Sequence, residues 1–237
     1  MLQRIKQLFA KGLLSNNQLK IIGIITMTID HIGVYLFPQC EILRIIGRLA
    51  FPIFAYMIAE GCAYTKNRRR YLGTLCLVAI LYQTAYFALT KSLYMGIFVT
   101  FSLSVAFIYV MDFARTHKNH IGMSVLLVAL ACVLVITDAL PKIIRGFLID
   151  YGFAGVILPA LVYGVKTKRD KLFMLSLGLV LLSGIYGGVQ WYSLLTVPLL
   201  ALYNQTRGKI KMKSFFYIYY PLHMTVIYLI GMAWELF

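Results

Sequence analysis

The chain has 237 residues, 61% of them hydrophobic, with a net charge of +15 and a mean hydropathy of +0.81. No ordinary soluble domain has that composition. The basic residues sit in short gaps between long apolar runs, with no basic patch interleaved with exposed aromatics, which sets aside a nucleic-acid partner.

The apolar runs are continuous rather than alternating, so each reads as a membrane helix that satisfies its own backbone, and a barrel is excluded. The expected fold class is an all-α, polytopic integral membrane helical bundle. Residues 1–14, "MLQRIKQLFAKGLL", put Leu2, Ile5, Leu8, Phe9 and Leu13 opposite Arg4, Lys6 and Lys11, the pattern of a basic amphipathic helix at the inner interface rather than a cleavable signal. Residues 15–237 then read as a single transmembrane domain. "SNNQ", Ser15 to Gln18, matches a capping box and marks the first helix start. Nine spans are expected, at roughly 17–37, 47–65, 71–90, 95–113, 121–138, 151–165, 172–186, 189–204 and 215–235. The sixth to eighth are short and Gly-rich, and "GIYGGVQ" at 184–190 also fits a re-entrant turn.

With the N-terminus inside and the C-terminus outside, the inner segments hold 18 of the 23 Lys and Arg, including "KNRRR" at 66–70, "KTKRDK" at 166–171 and "RGKIKMK" at 207–213. No internal repeat of the transporter kind is visible. Cys40, Cys62, Cys76 and Cys132 show no CxxC and no zinc or disulfide spacing, so they read as packing residues and no metal is expected.

Ionisable residues inside a bilayer are costly and mark function or pairing. In the first span, "MTIDHIGVY" carries Asp30 and His31. Lys20 precedes His31 by eleven residues, about three turns, so the two share one face at an axial separation of roughly 16 Å. That stripe suits a ligand with an anionic head at the inner surface and a reactive end in the membrane, the shape of an extended acyl-coenzyme A. Asp30 points about 100° away from His31. Its best partner by depth is Arg48 of the second span, a pairing that is also plain structure. Glu60, near the inner end of that span, is either a general base or a partner of the "KNRRR" loop. Asp150 and Tyr151 open the sixth span from outside. There Asp150 either caps the helix or binds a cationic group such as a substrate amine. In the last span Tyr217, Tyr220 and His223 fall at i, i+3 and i+6 beside Pro221, which removes a backbone donor. They read as the wall of a polar cavity or as an interfacial aromatic belt.

"DHIG", "GRLAFPIFAYMIAEG", "DYGFAGV" and "FYIYYPLH", in that order and over nearly the whole chain, resemble the TraX family. That family comprises polytopic inner-membrane proteins whose named member is associated with N-terminal acetylation of F-type pilin. It looks distantly similar to the type-3 membrane acyltransferases, which carry a basic residue, ten residues, then a catalytic histidine. Here those positions are Lys20, with lysine where arginine is usual, and His31. The resemblance implies a bacterial inner-membrane acyltransferase with His31 as the catalytic base and Asp30 beside it. Lys20 and Arg48 would then face the coenzyme, and Glu60, Asp150, Tyr151, Tyr217, Tyr220 and His223 the substrate. The donor would be acetyl-CoA, bound as a co-substrate, and the acceptor an amine or hydroxyl of a pilin-like peptide, a glycan or a lipid headgroup. Direct transfer needs no cysteine nucleophile, and Arg48 or a tyrosine would stabilise the oxyanion. The competing readings are a transporter or flippase for a small polar or lipid-linked substrate and a non-catalytic assembly subunit.

Overall fold

A computed structural model describes residues 12–117, 120–208 and 213–235. The expected amphipathic helix lies largely outside them, and of its residues Gly12 to Leu14 are non-helical. The described chain is almost entirely helical. Its helices are α1 (Asn16–Tyr35), α2 (Glu41–Gly47), α3 (Ala50–Tyr64), α4 (Arg68–Thr90), α5 (Ile97–Thr116), α6 (His120–Leu134), α7 (Leu140–Ile143), α8 (Gly152–Tyr163), α9 (Lys168–Tyr186), α10 (Thr196–Ala201) and α11 (Lys213–Glu235). A π-helical turn over Val135–Ala139 joins α6 to α7, and a 3-10 helix over Gly188–Leu195 precedes α10. Two short parallel strands, β1 (Tyr94–Met95) and β2 (Leu148–Ile149), pair Tyr94 with Leu148 and Met95 with Ile149.

Among the described residues five helices are long and apolar enough to cross a membrane: Glu41–Tyr64, Arg68–Thr90, Ile97–Thr116, His120–Ile143 and Phe215–Ala233. The chain is therefore a multi-pass membrane protein. The largest departure from the expected spans is at 189–204, which is not one long α-helix. Gly187 and Gly188 adopt φ of +65° and +49°, which end α9 and turn the chain into the 3-10 helix.

The chain forms two compact units. The first comprises Met1–Met57 and Leu175–Phe237, the second Ile58–Met174. In the first, Ser15 caps α1 as its sequence requires: its side chain receives Gln18 N–H while Gln18 Oε1 receives Ser15 N–H at 2.8 Å. Leu14 bridges to Tyr203, and Asn16 N–H donates to the Thr206 carbonyl at 2.8 Å, so the 202–206 segment holds the entrance of α1. Leu19, Ile53, Leu175, Leu179, Leu182 and Leu200 are fully buried. The approach of α2 to α1 requires Gly47, where an added Cβ would overlap the Asp30 carboxylate. In the second unit Ser104 on α5 donates to the Val156 carbonyl of α8 at 2.8 Å. Thr100 Oγ1 likewise donates to the Asp150 carbonyl at 2.7 Å, which ties the start of α5 to the end of β2.

Candidate functional site

Consecutive side chains on a helix point about 100° apart, and Asp30 and His31 use that offset to reach different neighbours. Asp30 faces α2 and Arg48, the residue that closes it. Its two carboxylate oxygens meet Arg44 Nη1 at 2.8 Å and Arg48 Nη2 at 2.6 Å, with Asp30 and Arg48 side chains only 14% and 10% exposed. The Asp30–Arg48 pair is the one the sequence predicts; Arg44, one turn before Arg48, is an addition. Arg48 extends the network, donating through Nε to the Arg44 carbonyl at 3.3 Å and through Nη1 to Gln190 Oε1 at 3.2 Å. One carboxylate thus faces two guanidinium groups, and the cluster is held by α1, α2 and the 3-10 helix.

His31 faces α11. Its Nδ1 lies 2.8 Å from His223 Nε2, with ring centroids 5.0 Å apart. Three further contacts show that α1 and α11 run parallel. Lys20 Nζ sits 5.2 Å over the Phe216 ring, Thr28 Oγ1 meets the Tyr219 hydroxyl at 2.8 Å, and a Cβ at Gly231 would meet Leu36. Lys20 and His31 thus both engage the α11-facing side of α1, as their spacing predicts.

The network assigns the tautomers. His223 Nδ1 lies 2.9 Å from the Tyr219 carbonyl, which can only accept, so Nδ1 carries the proton. In the neutral ring Nε2 is then the acceptor, and His31 Nδ1–H must be its donor. The proton order runs His31 Nδ1–H to His223 Nε2, then His223 Nδ1–H to the Tyr219 carbonyl, and leaves His31 Nε2 as a bare lone pair. Aromatic rings fix both imidazoles. Tyr219 stacks on His223 at 5.1 Å and 11°, and Tyr220 packs edge-on against His223 at 5.4 Å and against His31 at 6.2 Å. His223 and Tyr220 are both buried. Chemically such an arrangement can accept a proton at one imidazole nitrogen while a hydrogen-bond acceptor holds the other.

The remaining expected site residues are distributed as follows. Tyr217 is half-buried on α11. Glu60, Asp150 and Tyr151 belong to the second unit. Glu60 is buried and pairs with Lys171 Nζ at 2.5 Å, so its ion-pair partner comes from "KTKRDK"; Arg68 of "KNRRR" goes instead to Asp112 at 2.6 Å. The N-cap position of α8 is Tyr151, in the left-handed region at φ +59°, one residue after Asp150. Asp150 N–H donates to the Met95 carbonyl at 3.0 Å.

Sequence reasoning passes over several residues that the structure brings into play. Tyr219 stands one turn before His223, an i, i+4 pair that the i+3 pattern hides. Gln190, Ser193 and Thr196 repeat every third residue, the signature of a 3-10 face. Asp112 gathers Arg68 and the Tyr163 hydroxyl, each at 2.6 Å, in the second unit.

The sequence profile of the family described as "TraX protein" matches residues 15–231. The chain belongs to the TraX family. Among curated proteins, an uncharacterized protein of Rickettsia prowazekii (strain Madrid E) is 48% identical over 52 residues, 22% of this chain and 21% of that protein. A probable fimbrial assembly protein, FimC of serogroup H1, from Dichelobacter nodosus is 34% identical over 73 residues, 29% of this chain and 30% of that protein. The chain thus matches less than a third of the length of either relative. No solved structure matches it.

Proposed function

We propose that this TraX-family chain is a membrane acyltransferase that moves an acetyl group from acetyl-CoA to an amine. What carries the reading is the oriented pair on α1 and α11: His31 Nδ1 bound to His223 Nε2 at 2.8 Å, with His31 Nε2 left bare. In the proposed reaction His31 Nε2 takes a proton from the acceptor amine. The amine nitrogen attacks the thioester carbonyl carbon, the carbon–sulfur bond breaks, and the proton passes to the departing thiolate. The His31 imidazolium formed on the way donates through Nδ1 to His223, whose other nitrogen stays fixed on Tyr219. Lys20 would meet the phosphates of the coenzyme from the N-terminal end of the same stripe, and the positive excess of the Arg44–Asp30–Arg48 cluster favours an anionic donor.

Nine spans with the N-terminus inside and the C-terminus outside is the topology of this reading, in a bacterial inner membrane. The parallel run of α1 and α11 supports it, because first and last helices cross in the same direction only when the number of spans is odd. The fimbrial name of one relative supports a pilin-like protein as acceptor.

The test is transfer of labelled acetyl from acetyl-CoA to a membrane extract by purified protein, wild type beside His31→Ala. Transfer that depends on His31 is expected. Transfer that survives His31→Ala removes the base, and absence of transfer with counterflow of a polar solute establishes the transporter reading instead.

A further inference from the structure

The 3-10 helix over Gly188–Leu195 is inverted relative to a helix of a water-soluble protein, with apolar residues outward and polar residues inward. Its outward residues are Trp191, Tyr192 and Leu195, exposed by 47%, 45% and 54%, whereas Gln190, Ser193 and Thr196 are 4%, 0% and 0% exposed. Three residues per turn place Gln190 directly over Ser193, so a polar stripe faces inward. Eight residues is long for this helix type, whose poorer hydrogen bonds usually confine it to three or four.

Two atoms on that stripe, Gln190 Nε2 and Ser193 Oγ, are buried without a hydrogen-bond partner among the described residues. The orientation of Gln190 is fixed by chemistry. Arg48 Nη1 donates at 3.2 Å, an arginine can only donate, and so the amide oxygen faces Arg48 and the NH2 group points elsewhere. Ser193 would ordinarily turn its hydroxyl to the carbonyl three residues back. That carbonyl, of Gln190, receives Ser183 Oγ at 3.0 Å and takes no hydrogen bond from Ser193 Oγ. Buried donors left open are rare, and each calls for an occupant.

We infer that Gln190 Nε2 and Ser193 Oγ form a two-donor cradle for a carbonyl oxygen of the substrate, the thioester oxygen of the acyl donor. The inference rests on the acyltransferase reading and deepens it. Two neutral donors on one face suit an oxygen that gains negative charge as the amine attacks, the role of an oxyanion hole. Arg48, which with a tyrosine was one of two alternatives expected there, is engaged by Asp30, Gln190 and the Arg44 carbonyl and acts one step removed, by aiming the Gln190 amide. The cradle belongs to the same unit as His31 and is linked to it through Arg48 and Asp30, the neighbour of His31 on α1.

The test compares two non-transferable analogues by isothermal titration to protein in nanodiscs. One is the ketone in which CH2 replaces the thioester sulfur of acetyl-CoA; the other is S-ethyl-coenzyme A, which lacks the carbonyl oxygen. Wild type should bind the ketone roughly tenfold to a hundredfold more tightly, about tenfold per hydrogen bond. Ser193→Ala should lower that preference roughly tenfold. Gln190→Glu keeps an acceptor for Arg48 but presents an oxygen where the cradle needs a donor, and should abolish the preference while the protein still folds. Equal affinity for both analogues in wild type means that the two atoms hold only a buried water and overturns the cradle while leaving the coenzyme donor standing. A preference that survives both substitutions overturns it equally. Binding of neither analogue removes the donor of the proposed function, and the cradle with it.

Discussion

Replacing His223 isolates the hydrogen bond that orients the proposed base. His223→Leu puts an apolar side chain of similar reach in the same buried position and leaves His31 Nδ1–H without its acceptor at 2.8 Å. In the ground state that bond joins two neutral rings. As His31 takes a proton, the donor becomes an imidazolium and the bond becomes charge-assisted, contributing about 1.5–3 kcal/mol. Because the charge exists only as the reaction proceeds, the loss falls on the transition state: kcat should drop roughly 10- to 150-fold with little change in KM. His223→Gln restores an acceptor oxygen at similar reach and should recover most of that loss. The assay is steady-state acetyl transfer at saturating acetyl-CoA, with thermal melting of each variant to confirm that α11 remains packed. 15N NMR of histidine-labelled protein reads the tautomer directly and should show His31 protonated at Nδ1 and bare at Nε2. The reasoning is refuted if leucine and glutamine variants lose turnover equally, if the loss appears wholly in KM, or if the spectrum places the His31 proton on Nε2.

Two further outcomes follow from the same contacts. Gly47→Ala drives a methyl group into the Asp30 carboxylate and should destabilise the protein by about 1–3 kcal/mol; a loss that is unchanged when Asp30 is shortened to serine in the same chain would show that the overlap is not its cause. Lys20→Ala should raise the KM for acetyl-CoA several-fold while leaving kcat at saturation near wild type, because Lys20 stands near the N-terminal end of α1, about three turns from His31; an effect confined to kcat would move Lys20 out of the proposed coenzyme site.

What the sequence discloses about this site follows the helix repeat. Ser15 and Gln18 announce the start of α1 because a capping box is local chemistry, decided within four residues. The 100° step of a helix is enough to assign Asp30 and His31 to different faces, and depth alone selects Arg48 for Asp30. The pattern fails where the backbone leaves the α repeat. At 189–204 a reading based on apolar content expects a span, yet two glycines with positive φ end α9, the chain beyond them winds at three residues per turn, and Gln190 comes to face Arg48. It fails again where charge balance is long-range. Glu60 meets Lys171, 111 residues away, and charge counting alone cannot tell that lysine from the arginines of the nearer loop. Tyr219 is hidden for a third reason: in an aromatic run such as "FFYIYY" every spacing is filled, so no single partner of His223 stands out.

The adjacency of Asp30 and His31 is what joins these pieces. Asp30 fastens α2 and, through Arg48, the 3-10 helix; His31 fastens α11. Segments from both ends of the chain therefore gather at one level of α1, and the face each residue occupies matters more than the composition of the pair. Exchanging them, Asp30→His with His31→Asp in one chain, tests this with composition and hydropathy unchanged. Arg44 and Arg48 would then face an imidazole instead of a carboxylate. Their largely buried positive charge loses its partner, at about 3–5 kcal/mol of stability for a buried pair broken on one side. On the other face a carboxylate would meet His223 Nε2, which accepts in the present network, so one of the two groups must take up a proton or the helices must separate. The expected result is a lowered melting temperature together with loss of acetyl transfer, whereas Asp30→Asn alone, which retains hydrogen-bonding oxygen toward the arginines, should keep part of both. An exchanged variant that melts and turns over as wild type would show that the two faces of α1 are equivalent and that the division of labour between Asp30 and His31 does not exist.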